Sequence, residues 1–516
     1  MSLLKLISRL SSTEKNQLLG NETEEILRYS FTEKDTDAIP KEIIDLAIAS
    51  SKGASLISKS SVRRKLVESL KLETIQNLGH KDFDTAVKSY EKSFEQFVRD
   101  FEIEEEYCFE APVDERKNSE FVIPKHGECN GVIAFPHPYQ LRLKNSINEI
   151  IRTKRNTNIL ATMPTGAGKT VLAMELIVDL FRSYEIYGGK KLQICWVVDR
   201  QELCEQSLQS FQKIWKQKGD RKVICQRFFD TFCELNFSNE NRITFATFSL
   251  LNSRINNLEV KELLKQIDFL VIDEAHGSNA TTYKEVLDVY QVFSPTGYRL
   301  GLTATPFRND DSEMESLKSL FQTYLAITDE DGRDIESPMK YLIDQGYLSQ
   351  VKTQVLNSER GSSNSEYYKN LHEAVAEECK QLIDRGENTI IFAQSKSHAI
   401  ALNIYLKMQK IENEIIIGET PTVLRKQYLE RFGAKNDPLS VIVNHQILST
   451  GIDVPGMNSI MVLSKIESPS LALQIIGRAM RGAKNGGNKS NTIYLTRDNY
   501  KKLEEFELLE NIVLHT

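Results

Sequence analysis

The sequence predicts an α/β protein in which two parallel-sheet domains follow one another and a mainly helical N-terminal region precedes them. Three observations carry this expectation. Short, bounded apolar runs of the kind shown by parallel strands buried on both faces occur at Leu192–Val198 and Phe269–Ile272, and again at Asn388–Ala393 and Leu439–Val443. Between Ile159-Leu160 and a helix-like stretch lies a glycine-containing loop, Met163-Pro164-Thr165-Gly166-Ala167-Gly168-Lys169-Thr170, the strand, loop and helix order of an α/β unit. Before residue 130, Leu66, Leu70, Leu72 and Ile75, then Val87, Tyr90, Phe94, Phe97 and Val98, recur close to helical spacing instead.

Taken in chain order, residues 1–130 are expected to form the helical region. The acid-free start, Met1 to Leu10, reads as a plain amphipathic helix and not as a targeting segment, because acids follow from Glu14 onward. Asp82-Phe83-Asp84 is a helix start. The polar stretch from Glu110 to Gly131, with Pro112, Pro124 and Gly127, has linker chemistry. The first sheet domain then spans 131–325 and the second 345–516, with a polar connection at 326–344 and a surface loop from Ser358 to Ser365. The roughly thirty residues after Gly487 are expected to hold no further domain.

At 516 residues the chain is long enough for about three cores. No apolar run approaches the roughly 18 residues that span a bilayer, so no membrane association is expected. Seven cysteines, at 108, 129, 195, 204, 225, 233 and 379, form no Cys-x-x-Cys. Neither disulfides nor structural zinc are expected of them, and a reducing cytoplasm suits them. Charge is uneven: residues 1–130 carry 19 Lys and Arg against 25 Asp and Glu, whereas the remainder carries 46 against 47. An acidic segment is badly suited to hold phosphates, so residues 1–130 are expected to meet a protein partner.

The loop at 163–170 is a phosphate cradle. Backbone N–H groups ending at a helix N-terminus attract anions, and Gly166 and Gly168, with Thr165 and Ala167 beside them, keep the backbone tight where phosphates approach. Lys169 adds charge for the β- and γ-phosphates and Thr170 a hydroxyl for Mg2+. The pattern G-x-x-x-x-G-K-[ST] is met except at its first position, where Met163 stands. A second motif begins in a short apolar run and ends in Asp273-Glu274-Ala275-His276. Asp273 is expected to hold Mg2+ opposite Thr170, and Glu274 to orient or deprotonate an attacking water.

Further on lie Gly301-Leu302-Thr303-Ala304-Thr305-Pro306-Phe307-Arg308, then Ser449-Thr450-Gly451-Ile452-Asp453-Val454-Pro455, then Gln474-Ile475-Ile476-Gly477-Arg478-Ala479-Met480-Arg481-Gly482, followed by Gly486-Gly487-Asn488. This ordered set resembles the superfamily 2 helicases and translocases of the DEAH-box type. It is most similar to the branch that contains the motor subunits of type I and type III restriction enzymes and phage-type repair helicases. The resemblance covers about Phe135 to about Gly487, roughly two-thirds of the chain.

The resemblance implies two tandem RecA-like motor domains, ATP and Mg2+ as cofactors, and ATP hydrolysis. It implies that Lys169, Asp273, Glu274 and His276 act with Gln474, Arg478 and Arg481 of the second domain, the two arginines as arginine fingers. Gly451 and Asp453 are implied nucleotide contacts. Phe135-Pro136-His137-Pro138-Tyr139-Gln140 resembles the family's Q motif, in which Gln140 would read an adenine edge and Tyr139 or Phe135 would stack on the ring. Implied strand-tracking positions are Arg200 within Asp199-Arg200-Gln201, Gln206, Thr247, Gln394-Ser395 and Thr450, residue types that also cap helices and turns. Thr303 and Thr305 are expected to couple hydrolysis to that groove.

The function implied is an ATP-dependent nucleic-acid helicase or translocase, on DNA in preference to RNA, serving as the motor of a defence or repair assembly with a separate nuclease. An RNA helicase, or an ATPase switch that controls a partner without unwinding, stands as the alternative. A formal net charge of −7 does not argue against nucleic acid, because the local groove decides. Removing residues 1 to about 125 is expected to leave the motor active.

Overall fold

In the computed structural model, which describes residues 2–31, 39–104, 107–108, 118–124, 136–153, 157–183, 191–275, 281–304, 320–358, 361, 363–434, 436–445, 456–467 and 469–506, the chain divides into two units. One is Arg116–Tyr347; the other joins Met1–Glu115 to Leu348–Thr516.

The unit Arg116–Tyr347 is built on a sheet of β1 (Glu120–Ile123), β2 (Asn158–Thr162), β3 (Gln193–Val198), β4 (Val223–Phe228), β5 (Arg242–Thr247), β6 (Phe269–Ile272), β7 (Tyr298–Thr303) and β8 (Thr323–Ala326). Their spatial order is β1-β4-β5-β3-β6-β7-β2-β8. β6 is buried at every residue and β3 at all but its first, which is why these two runs lack a polar alternation; β5 is buried throughout as well, but carries Arg242, Thr244 and Thr247. All neighbours are parallel except β1, which pairs antiparallel with β4.

β1 revises the linker expected between Glu110 and Gly131. Four residues are too few to show a period, and the strand is held by ion pairing: the buried Arg242 reaches Glu120 at 2.5 Å. Arg227, which donates to the Asn118 carbonyl at 2.9 Å, is gripped by both carboxylate oxygens of Glu205.

The second unit holds β9 (Gln350–Val355), β10 (Thr389–Phe392), β11 (Asn413–Ile416), β12 (Val441–Asn444), β13 (Ser459–Val462) and β14 (Ser490–Leu495), all parallel, in the order β11-β12-β10-β13-β14-β9. The polar connection expected at 326–344 includes the helix Pro338–Asp344. The loop expected from Ser358 ends at Ser363, whose hydroxyl caps the helix Asn364–Asp384.

Helices occupy the N-terminal region as expected, and Phe83–Lys92 begins at a capping box made by Asp82 and Thr85. Their partner was not foreseen. Helix Asn21–Phe31 packs on helices Asn364–Asp384 and Lys396–Met408, and helix Lys41–Leu56 packs on the latter. One hydrophobic core runs from Leu3, Ile26 and Tyr90 through Leu371, Val375 and Leu402 to Met461 and Tyr494. The boundary drawn at residue 130 is therefore replaced by a helical layer that belongs to the second sheet's unit. The signal was present in His398 to Leu406, buried at every residue. A helix without a polar face must be covered all round.

A directed polar chain crosses this interior. The backbone N–H of Gln394 donates to His398 Nδ1 at 3.2 Å. That fixes the proton on His398 Nε2, which donates to His372 Nε2 at 3.0 Å. His372 Nδ1 then donates to Ser30 Oγ at 2.9 Å, and Ser30 to the Ile26 carbonyl at 2.9 Å.

Candidate functional site

Ligands of open α/β sheets bind outside the carboxyl ends of the strands. In Arg116–Tyr347 that rim carries the phosphate loop after β2, the Asp273-Glu274 pair after β6 and Thr303 at the end of β7, the strand between them. The loop passes into helix Lys169–Arg182 through Gly168, which has φ +82°. The left-handed backbone calls for glycine, and a Cβ on Gly168 would also stand 2.5 Å from Gln140 Nε2 and displace that amide. Gly166 is left-handed too, at φ 79°. The Met163 N–H donates to the Thr303 carbonyl at 3.1 Å, a direct bond between the loop and the strand end expected to couple to it.

Lys169 Nζ lies 3.5 Å from Glu274 Oε1, with the lysine side chain only 10% exposed. Asp273, 8% exposed, accepts from the Glu274 N–H at 3.0 Å. Burial, then the Glu274 carboxylate, pushes the Asp273 carboxyl up to about 7 against the opposing charge of Lys169. Glu274 sits at φ 52°, a left-handed conformation that strains a residue with a Cβ and aims its carboxylate back toward the loop. Two carboxyls facing one lysine leave room for a further cation. Asp273 and the Thr170 hydroxyl suit Mg2+, which takes few protein oxygens and completes its shell with water and phosphate. His276 and Thr305 lie outside the described residues.

Tyr139 and Gln140 have different neighbours from those expected. Tyr139 is 1% exposed, and its hydroxyl donates to the Ala167 carbonyl of the phosphate loop at 2.9 Å. Gln140 Nε2 donates to the same carbonyl at 2.9 Å and to that of Gly168 at 3.4 Å, while its Oε1 accepts from the His137 N–H at 2.8 Å. Both side chains thus hold the loop instead of standing open to an adenine. Phe135 lies outside the described residues.

Beside this rim, the ends of β3, β4 and β5 enclose an open groove of about 540 Å3 lined by Asp199, Arg200, Gln201, Asp230, Thr247, Ser249, Leu250 and Ser253. The groove brings together Arg200 and Thr247; Gln206 is on helix Gln201–Lys218 and does not line it. Thr247 also caps the next helix, accepting from the Leu250 N–H. Desolvation raises the Asp199 carboxyl, Arg200 lowers it and Glu274 raises it further, so the groove and the phosphate site share a field. Asp230 follows β4, whereas Ser249 and Ser253 are on helix Phe248–Ser253 after β5; they belong to no sequence motif because two separate strands bring them together.

In the other unit, Gln394 Nε2 donates to the Tyr367 hydroxyl at 2.6 Å. Ser395 caps helix Lys396–Met408, and its hydroxyl donates to Glu22 Oε1 at 3.0 Å, while Ser397 donates to Glu22 Oε2 at 2.9 Å. Gln474 and Arg478 are on helix Pro469–Ala479, with Arg481 just beyond it. The Arg481 carbonyl accepts from Ser349 Oγ, and its guanidinium from Nε donates to the Asn485 carbonyl. A Cβ on Gly487 would stand 2.1 Å from the Arg481 carbonyl oxygen, and Gly486 is left-handed at φ +74°, which together explain the glycine pair. Thr450, Gly451 and Asp453 lie outside the described residues.

No helix among the described residues is long and apolar enough to cross a membrane. The family model "Type III restriction enzyme, res subunit" matches residues 135–308, and "Helicase conserved C-terminal domain" matches 372–483. The chain is 24% identical over 374 residues to "Putative helicase 22" of Sulfolobus islandicus filamentous virus, covering 67% of this chain and 64% of that one. It is 22% identical over 419 residues to the type I restriction enzyme EcoKI endonuclease subunit of Escherichia coli, covering 70% and 34%. The EcoAI endonuclease subunit, also of Escherichia coli, is 24% identical over 382 residues, covering 67% and 44%. The chain thus spans between 34% and 64% of the length of these relatives. One family model falls on each of the two sheets, and the chain belongs to the superfamily 2 helicases, in the group that includes type I and type III restriction-enzyme subunits.

Proposed function

We propose that this protein hydrolyses ATP with Mg2+ to drive translocation along, or unwinding of, nucleic acid, with DNA preferred to RNA. The observation that carries this reading is Lys169 poised 3.5 Å from Glu274 beside the buried Asp273, at the mouth of a glycine-shaped anion loop. Mg2+ bound by Thr170 and Asp273 would neutralise the β- and γ-phosphate oxygens. The loop N–H groups from Gly166 to Thr170 hold the phosphates in place, and Lys169 turns from Glu274 to them. Glu274, released from that ion pair, takes the proton of the attacking water. His276 and Gln474 serve this constellation, Arg478 and Arg481 neutralise the transferring phosphoryl group, and Gly451 and Asp453 contribute nucleotide contacts.

Arg200, Gln206, Thr247, Gln394, Ser395 and Thr450 track the strand, and Thr303 and Thr305 couple it to hydrolysis. The preference for DNA draws on the restriction-enzyme relatives. They also favour a place in a defence or repair complex. In our reading its nuclease is a separate chain that meets residues 1–130, although the relatives named are themselves endonuclease subunits. The deciding experiment is ATPase activity against single-stranded, duplex and forked DNA and RNA, run beside strand displacement. Stimulation by DNA over RNA is expected, with Lys169→Ala silent and Glu274→Gln still binding ATP. Stimulation by RNA alone would transfer the protein to the RNA helicases. Hydrolysis that no nucleic acid alters would leave an ATPase switch.

A further inference from the structure

The phosphate loop is tied to the place where the chain leaves the unit Arg116–Tyr347. Helix Pro338–Asp344 closes in a Schellman turn: Gly346, at φ 74°, donates to the Ile343 carbonyl at 2.8 Å, and Tyr347 donates from its backbone to the Leu342 carbonyl at 2.9 Å. Tyr347 is the last residue of the unit, and this turn fixes its backbone. The Tyr347 ring meets Tyr139 edge-on, with centroids 4.9 Å apart and planes at 65°, and lies 4.8 Å from His137. Both are favourable aromatic geometries. Tyr139 in turn spends its hydroxyl on the Ala167 carbonyl, between the two left-handed glycines. Lys144 binds Asp179 at 2.7 Å, which clamps the Tyr139 helix to the helix that follows the loop. The rings therefore have a rigid base against which to act.

We propose that Tyr347 and Tyr139 form a positioning relay that sets the phosphate loop from the chain's exit point. Neither is a catalytic residue. The relay rests on the nucleotide reading of the loop and adds a way for displacement of the exit turn to tighten or loosen the grip on phosphate. Any shift of Tyr347 moves the edge against which Tyr139 is packed, and the Ala167 carbonyl follows through the hydroxyl.

The test is equilibrium binding of Mg2+-ATP, steady-state kinetics and thermal melting on the full chain, for Tyr139→Phe, Tyr347→Ala, Tyr347→Phe and the double variant Tyr139→Phe with Tyr347→Ala. Loss of one buried hydrogen bond predicts that Tyr139→Phe weakens ATP binding by about five- to tenfold. KM should rise while kcat changes by less than about twofold. Tyr347→Ala is expected to do the same, Tyr347→Phe to recover most of the loss, and the double variant to be no worse than the weaker single one. Multiplying effects in the double variant, or unchanged ATP binding in Tyr347→Ala, would overturn the relay. If Tyr347→Ala fails to fold, Tyr347→Leu takes its place in the same cycle. Lys169→Ala separates the two levels: if it binds ATP normally, the nucleotide reading itself fails. If it loses ATP while the tyrosine variants do not, only the relay fails.

Discussion

Arg478 and Arg481 have backbone surroundings that differ, and this shapes what their removal should do. Arg478 is inside a helix, where truncation leaves the backbone intact. Arg481 follows the helix, and its carbonyl is held by Ser349 while Gly487 passes close above it. Arg478→Ala is expected to lower kcat by roughly 10³ or more, with ATP affinity changed far less, as for arginine fingers generally. Arg481→Ala should do likewise while its backbone lock persists. ATP affinity that collapsed with kcat preserved would place both arginines in ground-state binding. At the same scale, Tyr139 and Gln140 show how a legible motif can acquire another task. Six consecutive residues announced an aromatic and an amide near a nucleotide, but which partner each would choose depended on Ala167 and Gly168, 27 or 28 residues on.

The N-terminal end of helix Lys396–Met408 attracts anions by its dipole and by the Ser395 and Ser397 hydroxyls, and in this structure Glu22 occupies it. Glu22 stands where a strand phosphate would come under the proposed function. Glu22→Gln is therefore expected to strengthen nucleic-acid binding by a few-fold at low salt, read by fluorescence anisotropy. An unchanged Kd would show that phosphates do not approach this helix end. The same helix carries one end of the buried histidine pair. His398 is pushed down to about 3 by burial and then by His445, and His372 is lowered by burial and then by His398. Their folded values lie below the unfolded value of about 6.5. The unfolded chain thus gains protons that the folded one refuses, and stability is complete above pH 6.5 and falls below it. Two such groups should remove about 2 kcal/mol between pH 6.5 and 5.5. Urea melts at the two pH values check this, and His372→Gln should take away about half of the dependence.

The whole molecule revises the expectation that residues 1 to about 125 can be removed from an active motor. Their helices share a core with the second sheet's helices, and Ser30 completes the polar chain that ends at Gln394. Deleting residues 1–104 is expected to bare the apolar faces of Asn364–Asp384 and Lys396–Met408, giving aggregation or loss of the second unit's melting transition. A soluble, cooperatively melting truncation with nucleic-acid-stimulated ATPase would restore the separable module. The acidic balance of this segment is compatible with a layer on the second unit, since charge reports on solvation and not on which apolar face is buried.

The phosphate loop, the paired carboxylates and the apolar strands β3, β6, β10 and β12 were legible because each is a contiguous stretch. Eight residues suffice to shape an anion cradle, and a buried strand shows its nature in four to six consecutive apolar residues. The edge strand β1, the groove residues Asp230, Ser249 and Ser253, the Tyr347 contact and the seat of the N-terminal helices were decided only in three dimensions. Ser30 and His372 are 342 positions apart, and Arg242 and Glu120 are 122. Periodicity along a chain reveals that a face is apolar or a side chain polar; which distant partner covers it is settled by packing, where shape and hydrogen-bond direction must be satisfied together.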